Sequence, residues 1–273
     1  MTADVPDERV PSILSPEERA LLLRIARCPL IPLALGNPSH RCHRVVATQT
    51  VPSDDRQVPE GWAGNLRGAR IVFLSSNPSI SLAGDDQPAD EVEPYPAASS
   101  SDDDIAHFLG RRFDQTVTPQ PFVTNSRSLL RNGRYAERVT TTWNEIRNRA
   151  NELLSNEADP ARNYVMTEVV HCKSRQNRGA DRASDTCADL YLDEIMRLTA
   201  APIVAVVGQV AQRYIRRRFP QLPEPPAIHP QAELGRRLRT FLFIGQPGSH
   251  DDRVIGRLYE PRMAELIALA AGG

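Results

Sequence analysis

The chain has 273 residues, 40% of them hydrophobic and 25% charged, the composition of an ordinary folded protein with one large domain or two small ones. Its 33 Lys and Arg against 34 Asp and Glu leave a formal net charge of −1, so bulk charge offers no case for an anionic partner. No apolar run approaches the roughly 18 residues that cross a bilayer. The acidic start "MTADVPDERV" lacks the basic and apolar regions of a signal peptide, so the expectation is a cytoplasmic protein with reduced thiols and no membrane partner.

Residues 1–15 are polar and read as a flexible N-terminus, and 16–273 read as a single domain. "SPEERALLLRIARC" (15–28) joins a serine N-cap and early glutamates to helical apolar spacing. "ARIVFLSS" (69–76) is the first of four short runs that read as buried strands. The acidic, low-complexity stretch 84–104 reads as a loop or a disordered insertion. "TTWNEIRNRANELL" (141–154) predicts a helix, "YVMTEVVH" (164–171) the second strand and "CADLYLDEIMRLTA" (187–200) a helix opened by a cysteine. "PIVAVVG" (202–208) predicts the third strand and "VAQRYIRRRF" (210–219) a helix. A proline-rich connector (220–230) leads to the fourth strand, "RTFLFIG" (239–245), and "EPRMAELIALAA" (260–271) predicts a closing helix.

Strands alternating with helices imply an α/β fold, a three-layer α/β/α sandwich with a central four-stranded parallel sheet. Ligand sites in such sheets lie outside the carboxyl ends of the strands. Those ends are "SNPSIS" (76–81), "EVVHCKS" (168–174), "VGQVA" (207–211) and "GQPGSHDD" (245–252). Basic residues cluster at 131–138, 175–182, 212–219 and 235–239. Singly each reads as a solvated face; together, with the acid pooled in 84–104, they make an anionic polymer a reasonable partner.

The four cysteines are Cys28, Cys42, Cys172 and Cys187. They are independent buried thiols, a zinc site or an iron–sulfur site, and spacing alone does not choose, because neither pair is a CxxC.

The run "YVMTEVVHCKSRQNRG…CADLYLDEIMRLTAAPIVAVVGQVA" (164–211) resembles families four and five of the uracil-DNA glycosylase superfamily. Those proteins carry a strand ending in a Thr-Asn-Val-Val-Lys-Cys-like run, an Asn-Arg loop, a cysteine opening a helix and a strand ending in Gly-x-x-Ala. The resemblance extends more weakly to the first and last strands. It implies a monomeric DNA glycosylase whose cysteines hold a [4Fe–4S] cluster, with zinc as the alternative. Cys28 and Cys42 then replace an N-terminal CxxC, at a wider spacing than the family's. The cluster would pin both ends of a loop that offers Arg175, Asn177 and Arg178 to a DNA backbone.

The same resemblance assigns Asn77, before Pro78, as the water-positioning catalytic residue, with Ser76 standing where the family has an acid. Asn77-Pro78 as a plain strand-ending turn is the bland alternative. Gln246 falls where the family has a catalytic histidine, and His250 is a second candidate. Tyr95 is the expected platform for a flipped base, with Phe122 as fallback. Glu168 stands where uracil-excising relatives have a base-reading asparagine.

An ionised glutamate only accepts hydrogen bonds, which suits the exocyclic amine of cytosine and not uracil O4. The expectation is therefore excision of a modified, 5-substituted cytosine, of the kind found chiefly in bacteriophage DNA, and so antiphage defence. The alternatives are uracil excision in base-excision repair, with Glu168 paired to Arg178 or Lys173, and a non-catalytic DNA-binding relative.

Overall fold

β-branched and aromatic residues at 71–75, 164–168 and 203–207 send successive side chains to opposite faces of a sheet that is covered on both sides. A computed structural model of the chain describes residues 14–80, 88–224, 232–248 and 254–272. The strands are β1 (Trp62–Gly64), β2 (Ile71–Ser75), β3 (Val123–Thr124), β4 (Arg127–Ser128), β5 (Tyr164–Glu168), β6 (Ile203–Val207), β7 (Ala232–Leu234) and β8 (Arg237–Ile244). The helices are α1 (Pro16–Ala26), α2 (Leu30–Gly36), α3 (His43–Val46), α4 (Asp102–Gly110), α5 (Thr141–Leu153), α6 (Ala180–Leu198), α7 (Gln209–Arg218), α8 (Ile255–Leu258) and α9 (Met263–Ala271).

The main sheet has six strands in the order β1-β5-β2-β6-β8-β7. The four expected strands form its parallel centre, with β2 between β5 and β6 and β8 beyond β6. The sheet is larger than the four strands expected, because β1 and β7 add antiparallel edges. Both are three residues long, too short to show a period of two. β7 turns into β8 through a tight turn at Gly235 and Arg236, both at positive φ. A Cβ on Gly235 would stand 2.5 Å from the Met196 carbonyl carbon, so the "GRRLR" segment serves a close hairpin approach to α6.

Val72, Leu74, Val204, Val206, Phe241 and Phe243 face one core with α1, α6 and α7. Ile71, Phe73, Ile203, Ala205, Leu242 and Ile244 face the other with α5 and α9. Among the described residues no helix is long and apolar enough to cross a membrane.

Two expectations need correction. Helix α6 begins at Ala180, so Cys187 lies inside it and does not open it. Ala180, Ala183, Ser184, Cys187, Ala188, Tyr191 and Leu192 repeat at helical spacing on the buried side, and the polar residues between them disguise the first two turns. The acidic stretch is part of the fold from residue 88 onward. Val92, Glu93 and Tyr95 are buried, and Asp102, Asp103 and Asp104 form the first turn of α4 behind a Ser101 cap. Carboxylates there complement the positive end of the helix.

Candidate functional site

Strands β2 and β5 are neighbours, so their carboxyl ends bring Asn77 and Glu168 to the same cavity, of about 160 Å³. Asn77 is buried, and its Nδ2 donates to Ser174 Oγ at 2.8 Å, Pro78 O at 3.1 Å and Cys172 O at 3.4 Å. Two of these acceptors are carbonyls, which fixes the amide orientation and leaves Oδ1 as the second group. That Oδ1 is sealed from solvent and has no hydrogen-bond partner among the described residues. Glu168 accepts one long bond from Ser75 Oγ, 3.4 Å, and its Oε2 likewise has neither solvent nor partner. Two unsatisfied acceptors on residues that line one cavity make it a candidate site, since buried polar groups are otherwise nearly always paired.

A buried charge cluster forms one wall. Arg112 donates to Glu60 Oε1 at 2.7 Å and to both oxygens of Glu93 at 2.7 and 2.8 Å. Lys173 Nζ lies 3.4 Å from Glu60 Oε2 and 3.6 Å from the centre of the Tyr95 ring. His171, beneath, accepts Glu60 N–H at its carbonyl and meets Glu60 O with Nδ1 at 2.9 Å. Burial pushes the His171 imidazole down to about 4, so it is neutral and its Nδ1 carries the proton in this bond.

Burial works against a charged Glu60, but Arg112 and Lys173 outweigh it and hold its carboxyl below the ordinary value. Glu168 is the odd carboxyl out. Burial first, and Glu60 second, raise it to about 8, with Lys173 and Arg112 only partly offsetting them. A carboxyl raised this far can hold its proton near neutral pH, and a neutral carboxyl donates hydrogen bonds as well as accepting them. Its bland partners do not claim it, for Lys173 bonds Glu60 and Arg178 lies in another cavity.

The remaining expected residues divide among neighbouring places. Ser76, Asn177 and the exposed Gln246 line a larger cleft of about 600 Å³ over the ends of β2, β6 and β8, with Gly208, Arg213 and Arg216. The structure does not bring Gln246 into the cavity of Asn77 and Glu168. Tyr95 is not a free platform: it is buried, one face lies under Lys173, its hydroxyl donates to Glu60 and Phe108 packs edge-on at 5.3 Å. Phe122 is half-buried and packs on Phe108 and His107 against the core. Trp143, at the start of α5, is the aromatic that lines the cavity, with Arg112 4.8 Å from its ring centre. His250 lies outside the described residues.

The four cysteines converge. Cys28 follows α1, Cys42 precedes α3, Cys172 follows β5 and Cys187 lies in α6, yet all line one small apolar cavity with Ile31, Val46, Val170 and Ala183. Burial raises the Cys172, Cys187 and Cys42 thiols, Cys187 to about 12, and neighbouring cysteines raise each further. Metal binding here would have to displace those protons. Backbone N–H of His171 donates to Cys187 Sγ at 3.3 Å, the kind of bond that tunes a thiolate-held centre. No three His, Cys, Asp or Glu side chains among the described residues are grouped to hold a single metal ion.

Beside the cysteines is a basic cavity of about 510 Å³ lined by His43, Arg44, Thr48, Arg175 and Arg178. Gly179, at φ +80°, lets the loop seat against α3, where a Cβ would stand 2.6 Å from Arg44 Cβ. Arg44, Arg175 and Arg178 are exposed and form no ion pair among the described residues. By contrast the α7 arginines are neutralised: Arg213 by Asp181, Arg216 by Glu224, Arg217 by Asp185 and Arg218 by Asp193. Arg239 is buried among backbone carbonyls. The 175–178 loop is thus available to an anion, as are the exposed Arg131, Arg134 and Arg138, which form no ion pair among the described residues, while the 212–219 cluster is largely spent on α6.

Ser174 N–H donates to Pro78 O, and Asn77 Nδ2 to Ser174 Oγ, so the basic loop and the Asn77 loop are knit together. Sequence reasoning missed Glu60, Glu93, Arg112, Lys173 and Trp143 as parts of the site. A scan against protein-family models and a search of curated proteins gave no match.

Proposed function

We propose that this chain is a DNA glycosylase that flips a non-standard base into the Asn77–Glu168 cavity and hydrolyses its N-glycosidic bond. The observation that carries the reading is the pair of buried, unsatisfied oxygens, Asn77 Oδ1 and Glu168 Oε2, on two residues that line one cavity at adjacent strand ends. Hydrolysis needs a water held at the anomeric carbon and stabilisation of charge on the departing base. Asn77 Oδ1 can accept a hydrogen bond from such a water and so orient it. Glu168, when neutral, can accept from a cytosine N4 amine and donate to N3. The unpaired arginines Arg44, Arg175 and Arg178 suit phosphates of the same strand, and Trp143 offers a ring for the base.

The favoured substrate is a 5-substituted cytosine, with antiphage defence as the corresponding role. Uracil is the second reading, favoured by one observation: a neutral Glu168 can also donate to uracil O4 and accept from its N3–H. A panel of duplex and single-stranded DNAs carrying cytosine, uracil and 5-substituted cytosines, assayed for abasic sites, decides between them. Excision confined to uracil would remove the cytosine reading, and no excision from any substrate would leave a DNA-binding relative.

The donor set suits a [4Fe–4S] cluster: four thiols from four chain segments, an apolar surround and an N–H donor to sulfur. Cys28, Cys42, Cys172 and Cys187 would hold it. Its role would be structural, fixing the 173–179 loop through Cys172 and α3 through Cys42. Purified protein should be brown and carry iron and acid-labile sulfide, and Cys172→Ser should lose both together with yield. Stoichiometric zinc in a colourless protein would replace the cluster in this reading.

The loop prediction is read from salt. Removing one arginine–phosphate bond should flatten the slope of log K against log salt by about 0.7–0.9. Arg175→Ala/Arg178→Ala should therefore bind DNA more weakly and with a shallower slope than wild type. Equal slopes would take this loop out of the DNA interface.

A further inference from the structure

Two buried carboxyls, Glu60 and Glu93, and the half-buried Glu168, whose Oε2 is shut off from solvent, share two buried cations, Arg112 and Lys173. Arg112 and Lys173 are both engaged by Glu60, and Arg112 by Glu93 as well, so four charges already cancel in two pairs. A third carboxylate would leave one uncompensated negative charge in the cluster with its Oε2 shut off from water, which costs more than keeping the proton. Glu168 is the carboxyl without a cationic hydrogen-bond partner, and it lines the cavity.

Resting on the glycosylase reading, we propose that Glu168 is a catalytic acid that hands its proton to ring nitrogen N3 of a flipped cytosine-type base as that base departs. The Glu168 O–H bond breaks and N3–H forms. The C1′–N1 bond breaks with its electron pair going to the base, which leaves neutral. The water held by Asn77 adds to the cationic sugar carbon and loses a proton, which restores Glu168 through solvent. The carboxylate formed in the step lies beside Lys173 and Arg112, which can stabilise it while it is charged.

Proton transfer to N3 is open only to a base with a lone pair there. Uracil has N3–H there and leaves as an anion. Cytosine is the poorer leaving group and needs the proton.

The groups facing Glu168 are Glu60 from the segment before β1, Lys173 after β5, Arg112 after α4 and Ser75 on β2, with Glu93 and Tyr95 behind Arg112 and Lys173. Burial and Glu60 raise the Glu168 pKa to about 8, which supports the charge count.

Two measurements test the step. Without DNA, the folding equilibrium constants of wild type and Glu168→Gln are compared across pH by denaturant unfolding. A raised folded-state pKa gives stability that is full below the unfolded value and is lost as pH rises toward the folded value. Glu168→Gln should therefore gain on wild type by up to tenfold per pH unit between about pH 5 and pH 8, then run parallel. With DNA, kcat/KM on a 5-substituted cytosine should fall above about pH 8 in wild type. Glu168→Gln should be slower by roughly 10²-fold or more and lack that limb. Parallel stabilities from pH 5 to 8 in a protein that does excise would overturn the acid role alone. A protonated Glu168 with no excision from any DNA would overturn the glycosylase reading and this step with it, and equal cytosine excision by Glu168→Gln would sink the step directly.

Discussion

Arg112→Met is expected to destabilise the fold by about 3–5 kcal/mol, the usual cost of removing one partner from a buried ion pair. For a chain of this size that is a fall of roughly 10 °C in Tm. Arg112 is 4% exposed, bonds Glu60 and Glu93, and packs over the rings of Tyr95, Phe108 and Trp143. Methionine fills much of the same volume, so the loss isolates charge from packing. Burial opposes the charge on Arg112, yet the two carboxylates hold its pKa above the ordinary value, which means that the ion pairs outweigh desolvation.

The sign with pH follows from Glu60, whose folded-state pKa is lowered. Its stabilisation is present above the ordinary carboxylate pKa and is lost as pH falls through the depressed one. Arg112→Met should therefore narrow its deficit in acid, and adding Glu93→Gln should recover part of the loss near neutrality. Chemical denaturation with thermal melts at pH 4 and pH 7 provides the check. A deficit below 1 kcal/mol at pH 7 would mean that the cluster is hydrated and would weaken the charge count around Glu168.

What was legible in the sequence follows from range. β2, β5, β6 and β8 each announce themselves by an apolar run of their own, and α5, α7 and α9 by their own period. β1 does not, because Trp62, Ala63 and Gly64 become a strand only by pairing with Thr167, Met166 and Val165 more than a hundred residues away. The start of α6 was hidden because its core face uses Ala and Ser, which look polar or neutral in a window of charges. In the site, Asn77 and Glu168 could be found as strand ends. Glu60, Glu93 and Arg112 could not, since a buried charge looks like any surface charge until its partner is known, and Lys173 could be named only as a possible partner of Glu168. Tyr95 shows the converse: an aromatic at a plausible position whose ring and hydroxyl are already used by Lys173, Glu60 and Phe108.

Asn77→Ala should cut excision by roughly 10²–10³-fold while leaving DNA affinity near that of wild type. Losing one well-placed polar group from a charge-stabilising site costs about that much. Affinity survives because phosphate contacts position the strand, and those belong to Arg44, Arg175 and Arg178, not to Asn77. The substitution removes two things, however: the unpaired Oδ1 and the Nδ2 bonds that tie the strand end to Ser174 and Cys172. Ser174→Ala separates them, since it deletes the strongest tie and leaves Oδ1 with its carbonyl-anchored orientation. If Oδ1 holds the water, Ser174→Ala should lose only about tenfold and Asn77→Ala far more, with the difference in kcat and not in KM. Asn77→Asp gives the second check, because a carboxylate keeps an acceptor toward the water but sets a negative oxygen against the Pro78 and Cys172 carbonyls. It should excise faster than the alanine variant and fold less stably than wild type. Equal rates for Asn77→Ala and Ser174→Ala would reduce Asn77 to a loop tie and send the search for the water's partner elsewhere along the strand ends.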